Sequence, residues 1–75
     1  MIFLQINSID FSHDKKYIIT ASWDKTVKIW EATTGKLVST LEHESGVKKA
    51  LYSYDGRYIL AVTFGGSVQL WDSKG

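Results

Sequence analysis

Histidine, serine and carboxylate side chains are the groups in this 75-residue sequence that could do chemistry. The two histidines, His13 and His43, would each need further ligands to hold a metal ion. Candidate carboxylates lie within a few residues of them: Asp10, Asp14, Glu42 and Glu44. Lone histidines are unspecific signals, and His13 lies in a polar segment typical of a surface turn. The sequence therefore predicts no metal site and no bound cofactor.

Nucleophilic catalysis would need a serine, a histidine and an aspartate that converge in space. Ser22, Asp24 and His43 supply the three residue types, and structural hydrogen bonding is the other role open to them. The pair Gly65-Gly66 could suggest a phosphate-binding loop, but neither of the common glycine-rich phosphate motifs surrounds it. The pair predicts a two-residue hairpin turn instead.

Composition excludes several classes of protein. The formal net charge is +1, from nine basic and eight acidic side chains, which argues against a nucleic-acid partner. There is no cysteine, hence no disulfide framework and no thiolate zinc site. No apolar run approaches the ~18 residues of a membrane span, and residues 1–4 are too short for a signal-peptide core. We expect an intracellular protein, cytoplasmic or nuclear, without a membrane partner.

Period-two alternation predicts strands throughout the chain. In residues 22–31, Val27 and Ile29 face one way while Lys28 and Trp30 face the other. Alternation and short apolar runs predict strands near 6–12, 17–22, 26–31 and 36–41, and then near 47–52, 58–63 and 67–72. No apolar pattern of period 3.6 is long enough for a helix, so the predicted fold class is all-β.

The chain repeats itself. Trp30 and Trp71 are 41 residues apart, and an acidic residue follows each. Alignment of residues 5–34 with 46–75 gives six identical pairs: Ser12/Ser53, Asp14/Asp55, Tyr17/Tyr58, Ile18/Ile59, Val27/Val68 and Trp30/Trp71. Because the matches fall on core-type and turn positions alike, they indicate a repeated structural unit of about 40 residues.

Four segments together carry a resemblance to a known family: Ser22-Trp23-Asp24-Lys25-Thr26-Val27-Lys28-Ile29-Trp30-Glu31, Thr34-Gly35-Lys36, Ser53-Tyr54-Asp55-Gly56-Arg57-Tyr58-Ile59 and Leu70-Trp71-Asp72. Over nearly its whole length the chain resembles the WD-repeat family of β-propellers. The resemblance implies WD-type blades of four-stranded antiparallel sheet, about two of them, in an incomplete ring. Residues 1–41 would form the first blade, and residues 42–75 a second blade that lacks its outer strand.

Blades of this family often hold a side-chain hydrogen-bond network of histidine, aspartate, a hydroxyl and tryptophan. The resemblance implies two partial networks here: Ser22, Asp24 and Trp30 in the first blade, and His43, Thr63 and Trp71 in the second. Gly65 replaces the aspartate of the second network. We therefore expect the second blade to be looser, or His43 to find another acceptor. Asp24 and His43 fall in different blades, so no catalytic residue is predicted.

The resemblance also implies an interaction site. Positions that line the mouth of the central channel in WD-repeat domains match Asn7, Trp23, Lys48 and Phe64, and the two aromatics are predicted to form a lip that grips a partner peptide. The other role open to Trp23 is packing against the loop of the adjacent blade. The implied function is a non-enzymatic scaffold segment that mediates protein–protein interaction within a larger propeller or complex.

Two further readings remain open. Two blades alone leave two large apolar faces in water, so the partners could be other proteins or further propeller blades, in the same longer chain or in other copies. Several copies could then close a ring as a self-assembling repeat unit. In the other reading, the chain is the regulatory propeller part of a longer enzyme.

Overall fold

Seven strands form two antiparallel sheets in the computed structural model, which describes residues 6–73. Sheet 1 has the order β1-β2-β3-β4, and sheet 2 has the order β5-β6-β7. The strands are β1 (Ile6–Phe11), β2 (Tyr17–Ser22), β3 (Thr26–Glu31), β4 (Leu37–Glu42), β5 (Val47–Tyr52), β6 (Tyr58–Thr63) and β7 (Val68–Asp72). The predicted all-β fold of WD-type blades in an incomplete ring is confirmed, and residues 6–73 close no ring.

Turns end some strands within a residue of the predicted bounds. Ser12 lies outside β1 because its hydroxyl donates to Asp14 Oδ1 at 2.6 Å and accepts the backbone N–H of Tyr17 at 3.0 Å. Lys36 precedes β4, and its carbonyl accepts the N–H of Glu31 at 2.8 Å, next to the register shift at Ile29 and Trp30. The turn after β5 repeats the first design, with Ser53 and Asp55 at 2.7 Å. The two turns share the same serine–aspartate hydrogen bond, which explains why the repeat includes polar as well as apolar positions.

The two sheets stack through one shared core. We call the face of sheet 1 that carries Ile19, Ala21, Val27, Ile29 and Leu41 its front face. It packs against the back face of sheet 2, which carries Val47, Ala50, Ile59 and Ala61. All nine side chains are at most 6% exposed. Short alanine side chains let the sheets approach closely, and the described chain is a slab only 17 Å thick.

Strand β5 obtains hydrogen bonds from side chains of β1 along the edge that β6 does not occupy. Ser8 Oγ accepts the N–H of Ala50 at 3.1 Å, and Asp10 Oδ2 accepts the N–H of Tyr52 at 3.1 Å. Asn7 Nδ2 donates to the carbonyl of Val47 at 2.9 Å. These three bonds satisfy backbone groups that would otherwise lack a partner, and they fix the register of one sheet on the other.

Removal of the Asp10 carboxylate tests whether the side-chain hydrogen bonds to the open edge of β5 stabilise the fold. In Asp10→Ala the N–H of Tyr52 loses its acceptor, so we expect the free energy of unfolding to fall by about 1–3 kcal/mol. Asp10→Asn is the matched control because it retains an oxygen that can accept the bond. Urea unfolding followed by circular dichroism measures both variants. Equal stability of the alanine and asparagine variants would show that this bond does not hold the sheets together.

Low pH should lower the stability of the fold, because it protonates carboxylates that accept hydrogen bonds in the turns. Hydrogen bonds hold the pKa values of three carboxyls below the ordinary value of 3.8: Asp14 by the Ser12 hydroxyl, Asp24 by the Thr26 hydroxyl and Asp55 by the Arg57 backbone N–H. Because each pKa is lower in the folded state, the stabilisation is complete above the unfolded value and is lost as the pH falls through and below 3.8.

The measurement is the urea midpoint as a function of pH. We expect the triple asparagine variant at positions 14, 24 and 55 to lose less stability than the wild type between neutral and acid pH. Glu44→Gln, which neutralises an exposed carboxylate, is the control and should leave the acid dependence unchanged. A triple variant with the wild-type acid dependence contradicts the assignment.

Candidate interaction site

Trp23 and Phe64 stack on each other across the two sheets. Trp23 lies in the turn between β2 and β3, and Phe64 lies in the turn between β6 and β7. Their ring centroids are 4.0 Å apart and their planes differ by 5°. Trp23 is 52% exposed and Phe64 is 45% exposed. The pair, which we call the aromatic lip, therefore joins the sheets and also presents ring surface to solvent.

Gly46 forms the floor of the aromatic lip. A Cβ atom at this position would lie 3.0 Å from Cε3 of Trp23 and 3.4 Å from its Cα. The carbonyl of Gly46 accepts the backbone N–H of Phe64 at 2.9 Å. Glycine is thus the residue that lets Trp23 lie flat against the chain. Gly46 was not predicted from the sequence. Its role depends on contact with Trp23, which lies 23 residues earlier in the chain.

The other two predicted mouth residues lie at the same end of the sheets. Ile6 pairs with Ser22 and Val47 pairs with Thr63, so β1 and β5 begin beside the turns that carry the lip. Asn7 uses its amide to bind β5 at Val47. Lys48 is exposed on β5. The structure therefore gives Asn7 a bond between the sheets and leaves Lys48 exposed near the start of β5.

The hydroxyl that binds Trp30 is that of Thr20. The indole N–H of Trp30 donates to Thr20 Oγ1 at 3.1 Å, whereas the sequence analysis grouped Trp30 with Ser22. Trp30 pairs with Ile18 across the strands, so Thr20 is its diagonal neighbour and Ser22 is two residues farther away. Ser22 Oγ instead accepts the N–H of Asp24 at 3.2 Å.

Asp24 serves its own turn. Its Oδ1 accepts the N–H of Thr26 at 3.1 Å and the Thr26 hydroxyl at 2.5 Å, and its Oδ2 lies 3.4 Å from Lys28 Nζ. Because the Asp24–Lys28 pair is exposed, it contributes little to stability. The first predicted network thus divides into a turn around Asp24 and a separate Thr20–Trp30 bond.

In sheet 2 the tryptophan bonds to His43 directly. Trp71 Nε1 donates to His43 Nε2 at 3.0 Å, and the rings meet edge to face. Thr63 is turned away and exchanges hydrogen bonds with the backbone of Ser67. Ala61 stands at the place that Thr20 holds in sheet 1, so no hydroxyl intervenes between the two rings.

One buried donor of this cluster lacks an acceptor. An indole nitrogen only donates, so His43 Nε2 must accept, and a neutral ring then carries its proton on Nδ1. That atom is buried and has no hydrogen-bond partner among residues 6–73. Gly65 stands where sheet 1 has Asp24, which agrees with the missing acid noted in the sequence. An unpaired buried donor lowers stability.

An acid at position 65 should supply the missing acceptor. We expect Gly65→Asp to be more stable than Gly65→Ala by about 1.5–3 kcal/mol, because a carboxylate can accept the Nδ1 proton of His43. Alanine is the matched control, since either Cβ would lie 2.9 Å from Ser45 Oγ and force that hydroxyl to rotate. Urea unfolding gives the difference, and the NMR signal of the His43 imidazole N–H reports the bond. Equal stabilities would refute the pairing.

The remaining polar residues form no further centre. His13 Nε2 donates to the carbonyl of Ser53 at 3.0 Å, a further bond between the two repeats. A shallow cavity of about 280 Å³ lies beside it, near the lower limit of small-molecule pockets. Burial raises the pKa of Tyr52, which lines this cavity, to about 12, with Asp14 and Asp10 as further causes. Residues 6–73 contain no group of three or more potential metal ligands.

The sequence model for "WD domain, G-beta repeat" matches residues 4–31 and 35–72. The chain belongs to this WD-repeat family. The first matched segment contains β1 to β3 of sheet 1, whereas the second contains β4 of sheet 1 and all three strands of sheet 2. Proteins with such repeats are generally non-enzymatic scaffolds, which supports a role in protein–protein interaction.

Three relatives show the range of proteins that share these repeats. The chain is 44% identical over 46 residues to eukaryotic translation initiation factor 3 subunit I of Caenorhabditis briggsae, covering 61% of this chain and 14% of the relative. It is 43% identical over 35 residues to ribosome assembly protein 4 of Saccharomyces cerevisiae, covering 47% and 7%. It is 35% identical over 52 residues to the human peroxisomal targeting signal 2 receptor, covering 65% and 16%.

The chain therefore spans less than a fifth of the length of these curated relatives. Within residues 6–73 it contains no helix of the length and apolarity needed to cross a bilayer.

Proposed function

We propose that this WD-repeat chain is a scaffold segment that captures a partner protein through its aromatic lip, within a larger propeller or complex. The observation that supports this most directly is the half-exposed stack of Trp23 and Phe64 on the Gly46 floor. Large aromatic residues dominate the energetics of protein interfaces. A lip built from one turn of each sheet would form only when both repeats are folded.

Contacts within the chain hold both rings of the lip in place. Each ring is held by the other, Trp23 lies on Gly46, and the Phe64 backbone is bonded to the Gly46 carbonyl. A partner would therefore order few additional side chains on binding, which lowers the entropic cost of association. The stacked faces are occupied by each other and Trp23 also lies on Gly46, so a partner would contact the outer face of Phe64 and the exposed ring edges.

Charge beside the lip suggests the chemistry of the partner. Lys48 is exposed at the same end of the sheets, and Asn7 lies beside it on β1. A peptide with an apolar or aromatic anchor and a neighbouring carboxylate would fit this arrangement. The anchor would pack against the lip, and the carboxylate would lie near the Lys48 ammonium.

We infer a non-enzymatic role in the cytoplasm or nucleus. This rests on the family and on the relatives named above, whose own names refer to translation initiation, ribosome assembly and peroxisomal targeting. Nucleic acid is not the proposed partner, because the chain carries a formal net charge of only +1.

Loss of the lip should abolish capture of such a peptide. Peptides selected from a random display library on the 75-residue chain should bind the double variant Trp23→Ala/Phe64→Ala at least about tenfold more weakly, the effect of one interface hot spot. Acidic members of the selection should also weaken in Lys48→Glu. Tyr54→Ala is the matched control, because Tyr54 is an aromatic that is 97% exposed and lies in the turn between β5 and β6, at the other end of these strands from the lip.

Circular dichroism must show the wild-type strand signal for every variant. Peptides that bind the double variant as tightly as the wild type would reject the lip as the binding site.

A further inference from the structure

Each sheet has one apolar face that no other described element covers. In sheet 2 the front face carries Leu60, Val62, Val68 and Leu70, which register places side by side on β6 and β7. Leu70 is 62% exposed. In sheet 1 the back face carries Ile9, Phe11 and Ile18 on β1 and β2, and register places Thr20, Lys28 and Trp30 on the same face. Ile9 is 60% exposed. Contiguous apolar surface of this kind marks an interaction site.

The two uncovered faces correspond to the two faces that already pack together inside the chain. A shift of 41 residues converts Ile19, Ala21, Val27 and Ile29 of the sheet 1 front face into Leu60, Val62, Val68 and Leu70. The same shift converts Ile9, Phe11 and Ile18 into Ala50, Tyr52 and Ile59 of the sheet 2 back face. Front-to-back packing of these positions buries the core of the chain.

We propose that copies of this chain associate head to tail, with the front face of sheet 2 of one copy packed on the back face of sheet 1 of the next. The contact continues the interface that the chain makes within itself. It uses different surfaces in the two copies and is therefore heterologous, so further copies add in the same direction until the ring closes. The inference goes beyond the proposed function, because the aromatic lip lies at the end of the sheets and on neither face.

The contact between copies would be weaker than the internal one. At the places of Ser8 and Asp10, whose side chains cap β5 within the chain, sheet 2 has Lys49 and Leu51. Those caps are not repeated, so apolar burial has to supply the attraction. Ile9 also takes the place of the smaller Ala50, which alters the fit. Association is therefore expected to be reversible and to depend on concentration.

Charges placed on one face at a time test the proposal. Leu70→Glu disables the front face of sheet 2, and Ile9→Glu disables the back face of sheet 1. Both residues are mostly exposed, so the fold should tolerate the changes. Light scattering after size exclusion should give the wild type a mass that rises with concentration above 8.5 kDa. Each variant alone should remain a monomer, because head-to-tail contact needs both faces.

A mixture of the two variants separates this arrangement from the others. Leu70→Glu retains an intact back face and Ile9→Glu an intact front face, so the mixture should form a one-to-one complex that grows no further, because the two altered faces carry like charges. Tyr54→Glu, which introduces a charge outside both faces, should assemble like the wild type.

Three results would overturn the proposal: a wild type that stays monomeric at every concentration, a mixture that stays monomeric, or one variant that still dimerises alone. The last would indicate contact between identical faces. None of these results bears on peptide binding at the lip, so the two proposals can fail separately.

Discussion

The edge of strand β5 that β6 leaves open is satisfied by side chains of another sheet, and much of the structure follows from that arrangement. Ser8 and Asp10 accept backbone N–H groups of β5, and Asn7 donates to a β5 carbonyl. A strand with one neighbour would otherwise expose these groups or leave them unpaired. The bonds set β1 beside β5, and the stacked sheets then bring Trp23 over Gly46 and against Phe64. The candidate interaction site is thus a result of how the two repeats meet.

The two sheets are similar in plan and unequal in completeness. Sheet 1 has four strands, and its Trp30 indole is bonded to Thr20. Sheet 2 has three strands among the described residues, and its His43 holds Trp71 while a buried Nδ1 lacks an acceptor. Substitution at single repeat positions, Thr20 to Ala61 and Asp24 to Gly65, accounts for the difference in bonding.

The strand patterns, the 41-residue repeat and the family resemblance together predicted the all-β fold of WD-type blades, but they did not predict the contacts between sheets. Alternation of apolar and polar residues located every strand, because each strand has one face in a core or near one. The pairing of Trp30 with Thr20 instead of Ser22 needed the register of β2 on β3, which alternation alone does not give. Gly46 and the β1 caps act only across a long separation in sequence, so a reading along one strand could not find them. The residue types at Trp23 and Phe64 did suggest an exposed aromatic pair, and the structure adds that the rings stack on each other.

The offset between the repeat in sequence and the sheet in space has an evolutionary consequence. The second matched segment contributes β4 to the first sheet before it builds the second. A gene duplication of one such segment would therefore deliver an outer strand to the preceding sheet together with three strands of a new one. Every added unit is tied covalently to its predecessor from the moment it is translated, and the newest sheet always awaits its last strand. Growth by tandem duplication is then directional. The series of sheets ends only when a segment other than another repeat supplies the outer strand of the last sheet.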